Sequence, residues 1–166
     1  MIEDFEVLKD TELAFSRRLR PAVLVNDGPA DEIRKDAEAV SDLSWSEITC
    51  EKLEKYPDCI YGFTPEGFRY FLPGVICASV RERRSDLLVV DSLLQMLDRG
   101  GETENRNDFF AERWPLLDPD ECAAVLKWVL WLAERSDLRD PFDSLGRALD
   151  LLEVLRRRAS GSGSGA

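Results

Sequence analysis

Apolar residues in this chain recur at three- and four-residue intervals, and proline or glycine ends nearly every run they form. The densest run is Cys59 to Val80, which holds five of the chain's eleven Phe and Tyr residues. Thr64 followed by Pro65 predicts a helix start. The threonine oxygen can accept from an early backbone N–H, and proline at the first position lacks a donor that would have no partner anyway. Pro73 disfavours helical geometry at Leu72. The pattern therefore predicts a short helix, a sharp break, and a second helix from Gly74 to about Arg83. Phe68, Phe71 and Leu72 share a face, and a short helix this aromatic needs other helices packed around it.

The remaining runs predict the surroundings. Ile2, Phe5, Leu8, Leu13 and Leu19 give imperfect helical spacing before Pro21, and Ala22 to Val25 is short enough to be an extended link. After the Asn26–Pro29 turn signal, Ala30, Ile33, Ala37 and Val40 form a narrow stripe, which predicts a peripheral helix. Ser44-Trp45-Ser46-Glu47 matches a capping box and predicts a helix to about Lys55. Leu87, Leu88, Val90, Leu94 and Leu97 predict another from Ser85 to about Arg99, ended by Gly100-Gly101. Glu102 to Asn107 reads as an exposed loop, and Phe109 to Leu117 as a short packed helix. Asp118-Pro119-Asp120-Glu121 is the clearest start signal and opens a helix to Arg135 that is apolar nearly all round. Asp140-Pro141 repeats that signal before a last helix to Arg158. With no strand signal of similar strength, the expected fold is all-α: an irregular bundle of about seven or eight helices around a short aromatic, proline-kinked helix pair. The tail SGSGSGA reads as an appended linker, so one helical domain is expected over 1–159, with 160–166 outside it.

Charge alters this picture. The chain carries 33 Asp and Glu against 22 Lys and Arg, a net of -11. Such a surface repels nucleic acid and anionic membrane and attracts a basic partner, although acidity also serves solubility. From Asn26 to Asp58 there are ten acidic and four basic residues, and from Asn107 to Asp143 nine and four. No apolar run is long enough to span a membrane, and the acidic start MIEDFEVLKD does not read as a signal peptide, so a cytoplasmic location is expected. Cys50, Cys59, Cys77 and Cys122 form no C-x-x-C pair and read as reduced and mostly buried.

The absence of histidine excludes Ser-His-Asp and Cys-His catalysis and histidine metal sites. Glu66 and Arg69, three apart, read either as a local ion pair or as a polar handle on a binding surface. Asp91, Gln95 and Asp98 share a face that could offer oxygen ligands to a divalent cation, or simply face solvent. Asp118, Asp120, Asp140 and Asp143 read as helix caps. Trp45, Trp114, Trp128 and Trp131 read as core, with Trp128 and Trp131 the alternative anchors of an interface.

Trp45, then Phe63-Thr64-Pro65-Glu66-Gly67-Phe68-Arg69-Tyr70-Phe71-Leu72-Pro73, and later Asp118-Pro119-Asp120-Glu121 before a Trp-rich helix, resemble a family of small, uncharacterised bacterial helical proteins. The resemblance covers about residues 40–135 and carries no activity with it. Small acidic helical proteins also include immunity proteins against bacterial toxins, an analogy of size and charge alone. The resulting expectation is a non-enzymatic acidic binding protein without a cofactor, an immunity protein that occludes a basic toxin domain. Asp31, Glu32, Asp36, Glu38, Glu47, Glu51, Glu54, Glu66 and Arg69 are its expected partner-binding residues. The alternatives are a protein-interaction adaptor with no toxin partner, and an enzyme that uses paired carboxylates.

Overall fold

The computed structural model describes residues 1–28, 30–98, 108–135 and 143–162. Among them are nine α-helices, two 3-10 turns and no strand. The helices are α1 (Asp4–Phe15), α2 (Asp31–Ser41), α3 (Cys50–Lys55), α4 (Cys59–Gly62), α5 (Pro65–Arg81), α6 (Leu88–Leu97), α7 (Asp108–Arg113), α8 (Pro119–Arg135) and α9 (Ser144–Gly161). The 3-10 turns are Trp45–Glu47 and Trp114–Leu116. The all-α expectation holds. The expected Gly100-Gly101 stop, the Glu102–Asn107 loop, the Asp140-Pro141 cap and Pro29 of the first turn lie outside the described residues.

The hub is α5. Its start is as read: Thr64 Oγ1 accepts from the Gly67 N–H at 3.0 Å, with Pro65 at the first position. The expected break at Pro73 is overturned, because α5 is one helix with Pro73 inside it. Proline removes one backbone bond there. Every residue from 70 to 80 is buried, however, so the packing gained by a continuous helix outweighs that loss. Neighbouring backbone approaches α5 closely at Gly74, where an added Cβ would lie 2.5 Å from the Trp45 carbonyl oxygen. α1, α3, α6, α7 and both 3-10 turns pack against α5, while α8 packs on α1 and α9, and α9 on α6.

The aromatic hub draws on two stretches. Phe63 stacks on Phe71 at 4.6 Å between ring centroids, and Phe68 meets Trp114 edge-on at 5.4 Å. Tyr61 and Phe68 both reach Phe109. Offset or edge-on pairs at these separations suit the ring quadrupole. Trp114, Trp128 and Trp131 are buried, as expected of core residues, and Trp45 is half-buried against the core. The Trp128 indole donates to Ser79 Oγ at 3.0 Å, joining α8 to α5.

Two local expectations change, and the reading of residues 22–25 as an extended link holds. The Ser44/Glu47 capping box forms, but it closes only a 3-10 turn; Ile48 is extended, and Thr49 caps a separate α3. The link at residues 22–25 is extended and pairs Val25 with Phe63 in an isolated bridge, flanked by Asn26 N–H to Gly62 carbonyl at 2.8 Å and Thr64 N–H to Leu24 carbonyl at 2.9 Å. α9 continues to Gly161, so the first residues of the expected linker are helical. Short α4, unforeseen, fits against α2 because residue 62 is glycine: a Cβ there would lie 2.6 Å from Ala37 Cβ.

Candidate functional site

α1 runs antiparallel to α8, and charged pairs mark the seam from end to end. Asp4 accepts from the Trp131 indole at 2.8 Å and pairs with Arg135 at 3.1 Å. Asp10 pairs with Lys127, and Arg18 with both Glu121 and Asp118. As α1 advances, its partners step back along α8, as antiparallel packing requires. Asp4 also binds Arg83, two residues past the end of α5. The Trp131 hydrogen bond, with help from Arg83 and Arg135, holds the Asp4 carboxyl below its ordinary value despite partial desolvation.

The inner end of the seam centres on Glu121, which is fully buried. Its Oε2 accepts from Arg69 Nη2 at 2.9 Å, Arg69 Nε at 3.0 Å and the Asp118 N–H at 3.0 Å. Its Oε1 accepts from Arg18 Nε. Asp118 Oδ1 in turn accepts from the Glu121 N–H at 2.9 Å, completing a capping box. Burial pushes the Glu121 carboxyl up from its ordinary value, against the pull of Arg18 and the Asp118 N–H. All the groups bonded to its oxygens are N–H donors, which keeps it a carboxylate at neutral pH. Glu121 is thus a structural clasp joining the segment after α1 to α5 and α8.

That clasp corrects the expectation for Glu66 and Arg69. Arg69 pairs across the core with Glu121, not along its own helix with Glu66. A guanidinium only 17% exposed gains more from a buried carboxylate with two-point geometry than from a solvated neighbour. Glu66 remains exposed. Sequence reasoning took Glu121 for a cap alone. A signal was present, since Glu121, Val125, Trp128 and Leu132 fall on one helix face.

Arg113 was missed as well. It is 2% exposed, donates to the Phe63 carbonyl at 2.8 Å, and lies 3.6 Å over the Phe109 ring. Burial lowers its pKa, with Glu112 and Glu66 opposing. It ties α7 to the chain just before α5. The Asp91, Gln95 and Asp98 face does not gather as a cation site: Asp98 is taken by Arg147 of α9, and no metal-sized cluster of ligands occurs among the described residues. All four cysteines are buried free thiols, as expected, and desolvation raises each to about 12.

The remaining expected partner-binding acids divide by their neighbours. Arg34 binds Asp31 at 3.0 Å and reaches Glu38 at 3.7 Å within α2. Asp36 accepts from the Asp58 N–H at 3.2 Å, holding the start of α4. Glu47 is occupied by the capping box, whose Ser44 donors lower its pKa. Glu54 binds Arg84, which also binds Asp86. Glu32, Glu51 and Glu66 are exposed and make no ion pair among the described residues. Beside Glu54 lies a recess of about 190 Å³, lined by Leu53, Pro57, Arg84, Leu87 and the exposed Leu88. A larger open groove, about 600 Å³, follows the outer side of the α1/α8 seam.

These features define a class: an all-α protein built around one buried helix, pinned by internal ion pairs, and carrying surplus carboxylates outside. No helix among the described residues is long and apolar enough to cross a membrane. The chain belongs to a family of unknown function (DUF6714), whose model matches residues 5–154. Neither a curated protein nor a solved structure matches the chain.

Proposed function

We propose that this protein is a non-enzymatic acidic binding protein, an immunity-type inhibitor that neutralises a basic partner by covering it. The observation that carries the reading is the pairing of exposed carboxylates with an apolar recess on α3 and α6. Glu51 is unpaired and one turn from Glu54, so both lie on one helix face. Beside them the exposed Leu88 and the recess behind it offer an apolar foothold. Glu32 on α2 is a further exposed acid with no ion pair among the described residues. Lysine or arginine side chains of a partner would be drawn to these acids, and an apolar side chain would enter the recess. Long-range attraction of this kind raises the association rate and is weakened by salt.

The internal chemistry is consistent with that role. The Glu121 carboxylate oxygens accept from donors within the fold, and a thiol near 12 is a poor nucleophile at neutral pH. The test is co-expression with the product of the adjoining reading frame, followed by association kinetics at low and physiological salt. The expected result is a stoichiometric complex whose association slows by about tenfold on adding salt, and slows similarly in E32K/E51K. A cognate partner that binds at a rate indifferent to salt and to E32K/E51K overturns the proposal.

A further inference from the structure

The groove along the α1/α8 seam is separate from the acidic recess and has its own pattern. It is lined by Asp10, Leu13 and Ala14 of α1, and by Ser16 and Arg17 in the turn just past its end. Of these, Asp10, Leu13, Ala14 and Arg17 are symmetric in sequence about the midpoint between Leu13 and Ala14. Opposite charges stand at the two ends, with a large and a small apolar residue at the centre. Leu13 is 70% exposed, although it sits in the middle of a lined groove. Arg17 is exposed and makes no ion pair among the described residues. Asp10 uses Oδ2 for Lys127, and its Oδ1 has no hydrogen-bond partner among the described residues.

We infer that this groove is the seat of a second copy of the same chain, giving a two-fold dimer through α1. α1 together with the turn after it is complementary to itself when laid antiparallel about a dyad at the Leu13/Ala14 midpoint. Asp10 of each copy then meets Arg17 of the other, and Leu13 of each fills the space above Ala14 of the other. An isologous interface demands this self-complementarity, since one patch must serve on both sides. α8 supplies the second wall. Ala123 and Ala124 line the groove there, and side chains this small let an incoming helix approach closely. A foreign helix would need only matching apolar residues. The placement of opposite charges at equal steps from the Leu13/Ala14 midpoint favours the second copy over other occupants.

The test is sedimentation equilibrium of the full chain over a range of concentration, with two exposed-residue variants. Wild type is expected to pass from 18.9 kDa to about twice that mass with rising concentration. L13E and R17E should each raise the dissociation constant by about tenfold or more, because one buries a charge at the dyad and the other sets like charges together. Leu13 and Arg17 are exposed in the single chain, so thermal unfolding at low concentration reports whether either variant has lost its fold. Adding D10K to R17E, with K127E to keep the seam paired, should recover the dimer by exchanging the two ends of the pattern. A monomer up to about 500 µM overturns the inference, as do dimers that L13E and R17E leave unchanged.

Discussion

Replacing Glu121 by glutamine tests the central claim about the seam. The side chain is fully buried and receives Arg18, both Nε and Nη2 of Arg69, and one backbone N–H. Glutamine keeps the shape but offers one acceptor oxygen and one amide nitrogen. If the oxygen stays with Arg69 and the Asp118 N–H, the amide donors face Arg18, and two donors then oppose each other. A hydrogen bond to a charged group is worth about 1.5–3 kcal/mol, and breaking a buried pair costs about 3–5 kcal/mol. Arg18 is 29% exposed and Arg69 17%, so both can recover some hydration, which discounts the upper figure. The expected loss is about 3 kcal/mol, or roughly 6–12 °C in Tm for a chain of this size. Urea unfolding followed by tryptophan fluorescence measures it, since Trp114, Trp128 and Trp131 are all buried. E38Q is the control: its arginine contact is long and solvated, so about 0–1 kcal/mol is expected. A loss below about 0.5 kcal/mol in E121Q refutes the clasp. The triple replacement R18M/R69M/E121L should recover much of the loss, because an apolar trio removes the stranded charges.

Acid should act through Asp4 and Asp98, both held below the ordinary 3.8 by their hydrogen-bond partners, Trp131 and Arg147 first. Carboxylates depressed by folding stabilise it above the unfolded pKa. Their contribution is therefore intact above about pH 5 and lost as pH falls through 3.8 toward the depressed folded values; D4N/D98N should flatten that decline in pH-dependent urea midpoints. Gly62→Ala should cost about 1–3 kcal/mol in the same urea assay, since its Cβ would lie 2.6 Å from Ala37 Cβ and 2.8 Å from the Ile33 carbonyl oxygen. At pH 8 the native thiols should resist a small disulfide reagent, and all four should react after unfolding; prompt labelling of the native protein at any of them would contradict burial that raises each to about 12.

Start signals were legible wherever one side chain closes its own turn. Thr64 and Asp118 each bond the backbone three residues on, and both sit where the pattern put them. Stop and continuation signals were less legible because the decision belongs to the neighbours. Pro73 obeys the local rule by lacking a donor, yet α5 continues because its surroundings bury it on every side. The reverse holds at Ser44: its box is complete, but one box cannot sustain a helix once Ile48 turns extended. Ion pairing follows the same division. Asp31–Arg34–Glu38 could be read from spacing alone, whereas Arg69–Glu121 spans 52 residues and Glu54–Arg84 spans 30.

That division changes what the net charge of -11 means. A count treats every carboxylate as available to a partner. In the fold, Asp4, Asp10, Glu12, Asp98, Asp118 and Glu121 are bound to arginine or lysine on other elements, and they hold helices together. Glu47 and Asp36 are taken up by backbone donors. The acids that can meet a partner without first leaving an internal cation are therefore few, and Glu32, Glu51 and Glu66 are the clearest among the expected set. Charge reversal at those three should change binding and spare the fold, whereas reversal at Asp4 or Glu121 should do the opposite. An acidic composition announces that a basic partner is electrostatically welcome. Which acids stay open to the proposed partner depends on how many arginines the folded chain has already turned inward.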